Sequence, residues 1–239
     1  MYEDHARIPP PPDGGYNLNA LKPGNIRHYD YWPEPPGPQT FGNTQVIFSD
    51  HEKHMVARIR QADAVFGCMA WLTNYAILDA LAGLEAVQIV VQKEDFLRPD
   101  GPGWRKTKLL RAYKALDKNL MRFNIPWDVG SCDQCGDPSI EGVRCMGVHN
   151  SGRKSASPRM HHKFLVFCHL ADGYPEPYAV WTGSFNATWN GTRCRENSMY
   201  IESEPIASAY AQEYGTVAAL SEPLDWQYAW VAPEWRIGS

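Results

Sequence analysis

From Thr44 onward the chain alternates short apolar runs with amphipathic stretches. Gln45 to Phe48 reads as a short strand, and Ser49-Asp50-His51-Glu52 predicts a capping box opening a helix to about Ala64. Val65 to Leu72 is apolar throughout, as in a strand buried on both faces. Thr73 or Asn74 then caps a second helix with Ile77, Leu78 and Leu81 inward, and Val87 to Val91 is the next strand. Trp104 to Phe123 gives the longest helix, with Leu109, Ala112, Leu116 and Leu120 on one stripe. Asp128 to Ser157, rich in Gly, Ser, Asp and Cys, reads as loop. Three strands follow, Met160 to Cys168, Tyr178 to Phe185 and Glu196 to Ile201, before Ser203-Glu204-Pro205 opens a last helix to about Leu220. Strands and helices alternating at this spacing predict crossover connections. The expected fold is α/β, with a mixed, largely parallel β-sheet sandwiched between helices.

The flanks differ in kind. Residues 1–43 read as a proline-rich N-terminal arm, because nine of the 19 prolines fall in the first 40 residues and leave few backbone donors for helix or ladder. Residues 44–220 make the folded domain. Residues 221–239, with Trp226, Trp230 and Trp235, form a tail expected to pack back on the core or on a second subunit. A chain of 239 residues that is 44% hydrophobic and 21% charged is neither collagen, coiled coil nor wholly disordered. Its longest apolar run, Val65 to Leu72, is far short of the roughly 20 residues a bilayer-spanning helix needs. The acidic first residues carry no apolar signal segment, so a cytoplasmic location is expected.

Net charge is -4, which argues against a generally basic nucleic-acid binder. The average conceals a division. Residues 101–200 carry 14 Lys and Arg against 8 Asp and Glu, whereas the remaining residues carry 9 against 19. An anionic ligand would be steered to the middle of the chain, because local field sets encounter. The basic positions there include Arg105, Lys108, Arg111, Lys114, Lys118 and Arg122 on the long helix, then Arg144, Arg153, Lys154 and Arg159. A solvated helix face is the ordinary reading of such a run; tracking a polyanion is the functional one.

Side chains along a strand alternate faces, so His161 and Lys163 point one way while His162, Phe164 and Val166 point the other. The same period puts Ser184 and Asn186 on one face, opposed to Phe185. An imidazole, an ammonium, a hydroxyl and an amide together suit a nucleophile beside donors that hold a tetrahedral anion such as phosphate. Glu196 can fix the imidazole through one ring nitrogen and leave the other to attack phosphorus.

At these residues the sequence resembles the phospholipase D superfamily, whose signature is His-x-Lys, then Gly-Ser-x-Asn, then a carboxylate followed by Asn. Here those are His161-His162-Lys163, Gly183-Ser184-Phe185-Asn186 and Glu196-Asn197, and the resemblance spans roughly Thr44 to Leu220. It implies a phosphodiesterase that needs no metal or other cofactor for catalysis and forms a phosphohistidine on one His. A second His, from a second copy of the motif, protonates the leaving oxygen. This chain has one copy, so the resemblance implies a homodimer with one shared site. Two departures stand out. Cys168 occupies the position, five residues after the motif Lys, where the family usually has Asp, so the support that Asp gives is either absent or supplied elsewhere, with Asp172 a candidate. The stretch from His161 to Ser184 also looks longer than in compact members, with Asp172-Gly173-Tyr174-Pro175 reading as a hairpin turn.

The leading expectation is a nuclease acting on single- or double-stranded nucleic acid with low sequence specificity, since phosphate contacts give affinity without reading bases. A phospholipid substrate of the cardiolipin type, or a nucleic-acid-binding module whose site Cys168 has weakened, are the alternatives. Separately, Cys132-x-x-Cys135, Cys145 and His149 could hold a structural zinc, or the Cys pair could be reduced or form a disulfide. Cys68, Cys168 and Cys194 lie in or beside apolar segments and are expected in the core.

Overall fold

The strand Ala64–Met69 is buried at every position, and the whole sheet is organised around it. A computed structural model describes residues 37–94, 97–98, 104–116, 141–149 and 159–230, the side chains of 104–107 excepted. In chain order the elements are β1 (Gln39–Phe41), β2 (Thr44–Ile47), α1 (His51–Ile59), β3 (Ala64–Met69), α2 (Tyr75–Leu81) and β4 (Ala86–Gln92). They continue with α3 (Trp104–Leu116), β5 (Val143–Met146), β6 (Lys163–Ala171), β7 (Tyr174–Gly183), β8 (Ser198–Glu202) and α4 (Glu204–Ala219). The strands form one eight-stranded sheet in the order β1-β2-β8-β7-β6-β3-β4-β5.

The sheet is mixed and the class is α/β, as the sequence predicts. Parallel pairing is confined to β3–β4 and β4–β5. It arises where α2 and α3 lie between successive strands and carry the chain back to the starting end. The remaining pairings are antiparallel, so the parallel share is smaller than the alternating pattern suggests. Two hairpins explain part of the difference, and the β6–β7 turn shows how. Asp172 and Gly173 both take positive φ, 53° and 82°, as a two-residue turn between right-twisted strands requires. Asp172 is thereby spent on the turn, at the far end of β6 from His161, and does not stand in for the missing family Asp.

Helices cover both faces. On one, Met55 and Ile59 of α1, Ile77, Leu78 and Leu81 of α2, and Leu109 and Leu116 of α3 pack on Val65, Ile89, Leu165 and Trp181. On the other, Ala207, Ala211, Tyr214 and Val217 of α4 pack on Phe66, Val90, Phe164 and Val166. The small residues of α4 bring its backbone close to the sheet, and Pro205 opens it in the first turn. Trp226 from the tail is 5% exposed and joins the first core. Trp235 lies outside the described residues.

Several local expectations change. The capping box does not form: Asp50 takes a left-handed φ of 53° and makes no side-chain cap. Glu52 instead accepts from Asn74 Nδ2, tying the start of α1 to the start of α2. Asn74 is the cap of α2, its Oδ1 accepting from Ala76 N and Ile77 N at 2.9 and 3.2 Å. Helix α1 stops at Ile59, short of Ala64, because β3 begins there. β1 lies inside the stretch read as arm, and β5 inside the stretch read as loop. β5 escapes a pattern reading because its second residue is Arg144, which is 3% exposed. Arg144 is satisfied by Ser221 Oγ at 2.8 Å, Ser221 O at 3.1 Å and Glu141 at 2.9 Å. It is a structural arginine rather than a phosphate contact.

Candidate active site

Pairing registers set the site. Met69 ends β3 opposite Lys163, Phe164 lies opposite Thr182, and Gly183 lies opposite Ser198. The end of β3, the start of β6, the end of β7 and the start of β8 therefore meet at one edge of the sheet. Backbone bonds lock the loops leaving it: Ala70 N donates to His162 O at 2.9 Å, and Thr73 N and Asn74 N both donate to Ala187 O, at 2.8 and 2.9 Å. Gly183 permits the approach of β7 to β8, since a Cβ there would collide with the Asn197 carbonyl oxygen.

His161 and His162 precede β6 instead of lying within it, yet their alternation holds. His162 turns to the α4 face, where its Nε2 is 3.0 Å from Glu213. His161 turns the other way, its ring edge-on to Trp71 with centroids 5.7 Å apart. Lys163 is 8% exposed, and its Nζ donates to His161 O at 2.8 Å. Ser184 Oγ donates to Glu196 Oε2 and accepts from Asn197 N at 3.0 Å. Among the described residues Glu196 thus accepts from Ser184, not from His161 as expected; its charge acts on Lys163. Asn186 Oδ1 is buried and has no hydrogen-bond partner among the described residues.

Electrostatics favour an uncharged imidazole. Partial burial, then the charges of Lys163, Arg159 and His162, lower the His161 pKa below its usual 6.5. Burial also lowers Lys163, with Glu196 opposing it. The ammonium has three donors and gives one to His161 O, so two remain for an anion. A cleft of about 450 Å³ is lined by Trp71, whose ring meets His161, and by Asn186, Glu196, Thr188, Trp189 and Cys194.

Cys194 is half-buried on that wall and not in the core, whereas Cys68 and Cys168 are core residues, as expected. Cys168 is fully buried on the α4 face, opposite Ala64, at the other end of β3 from Lys163. Five residues of strand place it about 17 Å along the chain from the motif Lys, and burial holds its thiol well above the usual range. The aromatic wall, Trp71 and Trp189, was not foreseen. A tryptophan three residues beyond Asn186 in the polar run Thr188 to Thr192 is the signal that could have disclosed it.

Of the expected polyanion contacts, Lys108, Arg111 and Lys114 are exposed on α3 and Arg159 is exposed two residues before His161. Lys108 Nζ stands 4.1 Å from the ring centre of Tyr75, the first residue of α2, and Tyr113 of α3 donates to Leu72 O at 2.6 Å. The basic helix is thereby fastened to the site end of the sheet. The Arg105 side chain, Lys118, Arg122, Arg153 and Lys154 lie outside the described residues. So do Cys132 and Cys135. Cys145 is a buried β5 residue whose Sγ is 3.3 Å from Pro223 O, its pKa pushed up to about 12 chiefly by burial. The His149 ring packs against Trp226 at 5.0 Å. Among the described residues no three His, Cys, Asp or Glu side chains cluster to hold a metal.

The mixed α/β sheet presents His-x-Lys, Gly-Ser-x-Asn and Glu-Asn at one end, the arrangement in which the sequence resembles the phospholipase D superfamily. The chain is 32% identical over 220 residues to the uncharacterized protein L381 of Acanthamoeba polyphaga mimivirus, covering 88% of this chain and 74% of that one, and it belongs to the same family. No family model matches it. Solved structures similar to it include NUC of Salmonella typhimurium, a phospholipase D family member, at 17% identity and a TM-score of 0.45 over 78% of this chain and 97% of that one. NucT from Helicobacter pylori is similar at 13% identity and a TM-score of 0.45, over 75% of this chain and 98% of that one.

Proposed function

We propose that this chain hydrolyses phosphodiester bonds in nucleic acid without a metal ion, through a phosphohistidine on His161. The observation that carries the reading is the convergence of His161, the buried Lys163 ammonium, Asn186 and the Ser184–Glu196 pair at one edge of the sheet. An unprotonated ring nitrogen of His161 attacks phosphorus while the bond to the leaving oxygen breaks. Lys163 neutralises the non-bridging oxygens as their charge grows. Ser184, held between Glu196 and Asn197 N, fixes the loop that presents Asn186. The leaving oxygen takes its proton from the imidazolium of the same residue in a second copy. Water then attacks phosphorus, giving its proton to the now neutral imidazole of the second copy, and the phosphorus–nitrogen bond breaks to free the first imidazole. One motif per chain makes a twofold dimer the working unit, and Lys108, Arg111, Lys114 and Arg159 supply the field that draws in a polyanion.

The test is cleavage of labelled single- and double-stranded DNA and RNA in EDTA, with wild type beside His161→Ala. Cleavage that survives EDTA, disappears in the variant and leaves acid-labile phosphate on the wild-type protein is expected. Cleavage that persists in His161→Ala, or that requires an added divalent ion, overturns the reading.

A further inference from the structure

We propose that Trp189, braced by Arg193, is a stacking platform for an unpaired nucleobase, so that the site takes single-stranded nucleic acid in preference to duplex. The inference deepens the reading above and rests on it for the polyanionic nature of the ligand. Trp189 is 59% exposed. A lone exposed aromatic is ordinary on a protein surface, but this one is placed and held. It shares the cleft with Asn186 and Glu196, the groups nearest the proposed chemistry. The Arg193 guanidinium lies 4.1 Å from its ring centre. Stacked this way, an arginine keeps its N–H edge for a phosphate while stiffening the indole.

The segment carrying both residues is rigidly tied to the site. Thr188 Oγ1 accepts from Gly191 N at 2.9 Å, Thr192 Oγ1 donates to Trp189 O at 2.8 Å, and Arg193 N donates to Asn190 O at 3.0 Å. Gly191 lies so close to the Asn186 carbonyl oxygen that any Cβ there would collide with it. The indole therefore keeps a fixed offset from Asn186. Trp71 lines the same cleft, its Nε1 donating to Glu94 at 3.3 Å and its ring meeting His161. Two indoles line a cavity of about 450 Å³, the Arg193 guanidinium stacks on one of them and the other meets His161; π-faces for a base beside cationic groups for its phosphate suit a nucleotide. A duplex keeps its base faces stacked and offers none of them without flipping a nucleotide out.

The experiment is fluorescence anisotropy of a labelled oligothymidylate, an abasic strand of equal length and a duplex, all against His161→Ala protein so that nothing is cleaved. Each is repeated with Trp189→Ala and Trp189→Phe added. The oligothymidylate should bind more tightly than the abasic strand or the duplex. Trp189→Ala should weaken it about tenfold and leave the abasic strand unchanged, and Trp189→Phe should restore most of the loss. An equal loss on both strands, no loss, duplex binding as tight as single strand, or no binding overturns the platform. The two readings fail separately. Trp189-dependent binding in a protein that cleaves nothing removes the hydrolysis and keeps the platform, whereas cleavage with Trp189-independent binding does the reverse.

Discussion

Lys163 donates a 2.8 Å hydrogen bond to the backbone oxygen of His161, so the buried cation also fixes the segment that carries the proposed nucleophile. The two roles separate by substitution. Lys163→Met removes both and should lower kcat/KM on an oligonucleotide by about 100- to 1,000-fold. Lys163→Arg keeps the charge but spreads it over a planar fork that does not fit the same space, and it should recover only part of the loss. Steady-state kinetics on folded variants measures this. Full activity in Lys163→Met would remove the ammonium from the mechanism.

The pH profile follows from the charges around His161. Partial burial and the neighbouring Lys163 and Arg159 cations disfavour its protonated form, so the neutral imidazole persists below pH 6.5. The acid limb of kcat/KM should accordingly lie below 6.5, and activity should fall as pH drops through it. Arg159→Ala removes one of the cations, which should move that limb upward toward 6.5. A pH–rate profile at fixed ionic strength reads the shift; a limb that stays put or moves down contradicts the assignment.

Gly183 is where the motif and the sheet meet. A methyl group on it would enter the Asn197 carbonyl oxygen, so β7 and β8 must separate just where Ser184 reaches Glu196. Gly183→Ala should cost about 1–3 kcal/mol of stability and depress activity beyond that loss, because the site loop moves with the strands. Urea denaturation and kinetics on the same sample measure the two effects. A variant as stable and as active as wild type would show that the strands yield there freely.

The sequence exposes those parts of the molecule whose physics is local. β3 reads as an unbroken apolar run and β4 as one interrupted by Gln88, Asn74 as a cap, and Asp172-Gly173 as a turn. His161 and Lys163 share a face because strand geometry leaves no other choice, and His162 turns to Glu213 for the same reason. What stayed hidden depends on partners remote in sequence. β5 hides behind Arg144, whose guanidinium pairs with nearby Glu141 and donates to Ser221, 77 residues away. Glu52 looked like a capping acid but serves Asn74, and Glu196 looked like a partner for His161 but serves Ser184. In each case the side chain offers a donor or an acceptor, and only the fold decides which neighbour takes it.

Lys93 offers the sharpest test of the architecture behind the site. It follows β4 with no exposed surface, and its ammonium meets Glu222, Tyr228 O at 3.0 Å and Trp230 O at 2.8 Å. Three acceptors match its three donors, and the Trp226 ring lies 5.0 Å away. This satisfied cation thus helps to hold the tail to the sheet, beside the Arg144–Ser221 bonds and the buried Trp226. Lys93→Met leaves the Glu222 carboxylate buried without this cation and should cost about 3–5 kcal/mol. Replacing Glu222 alone strands the ammonium and should cost a similar amount. The double variant Lys93→Met/Glu222→Leu removes both charges, so its loss should fall well short of the two single losses added together. Urea unfolding followed by tryptophan fluorescence and by circular dichroism checks the cycle. Coincident transitions would show that the tail melts with the sheet, whereas an early fluorescence change would show that it detaches first. Single losses that simply add would mean that the two charges are stabilised independently of each other.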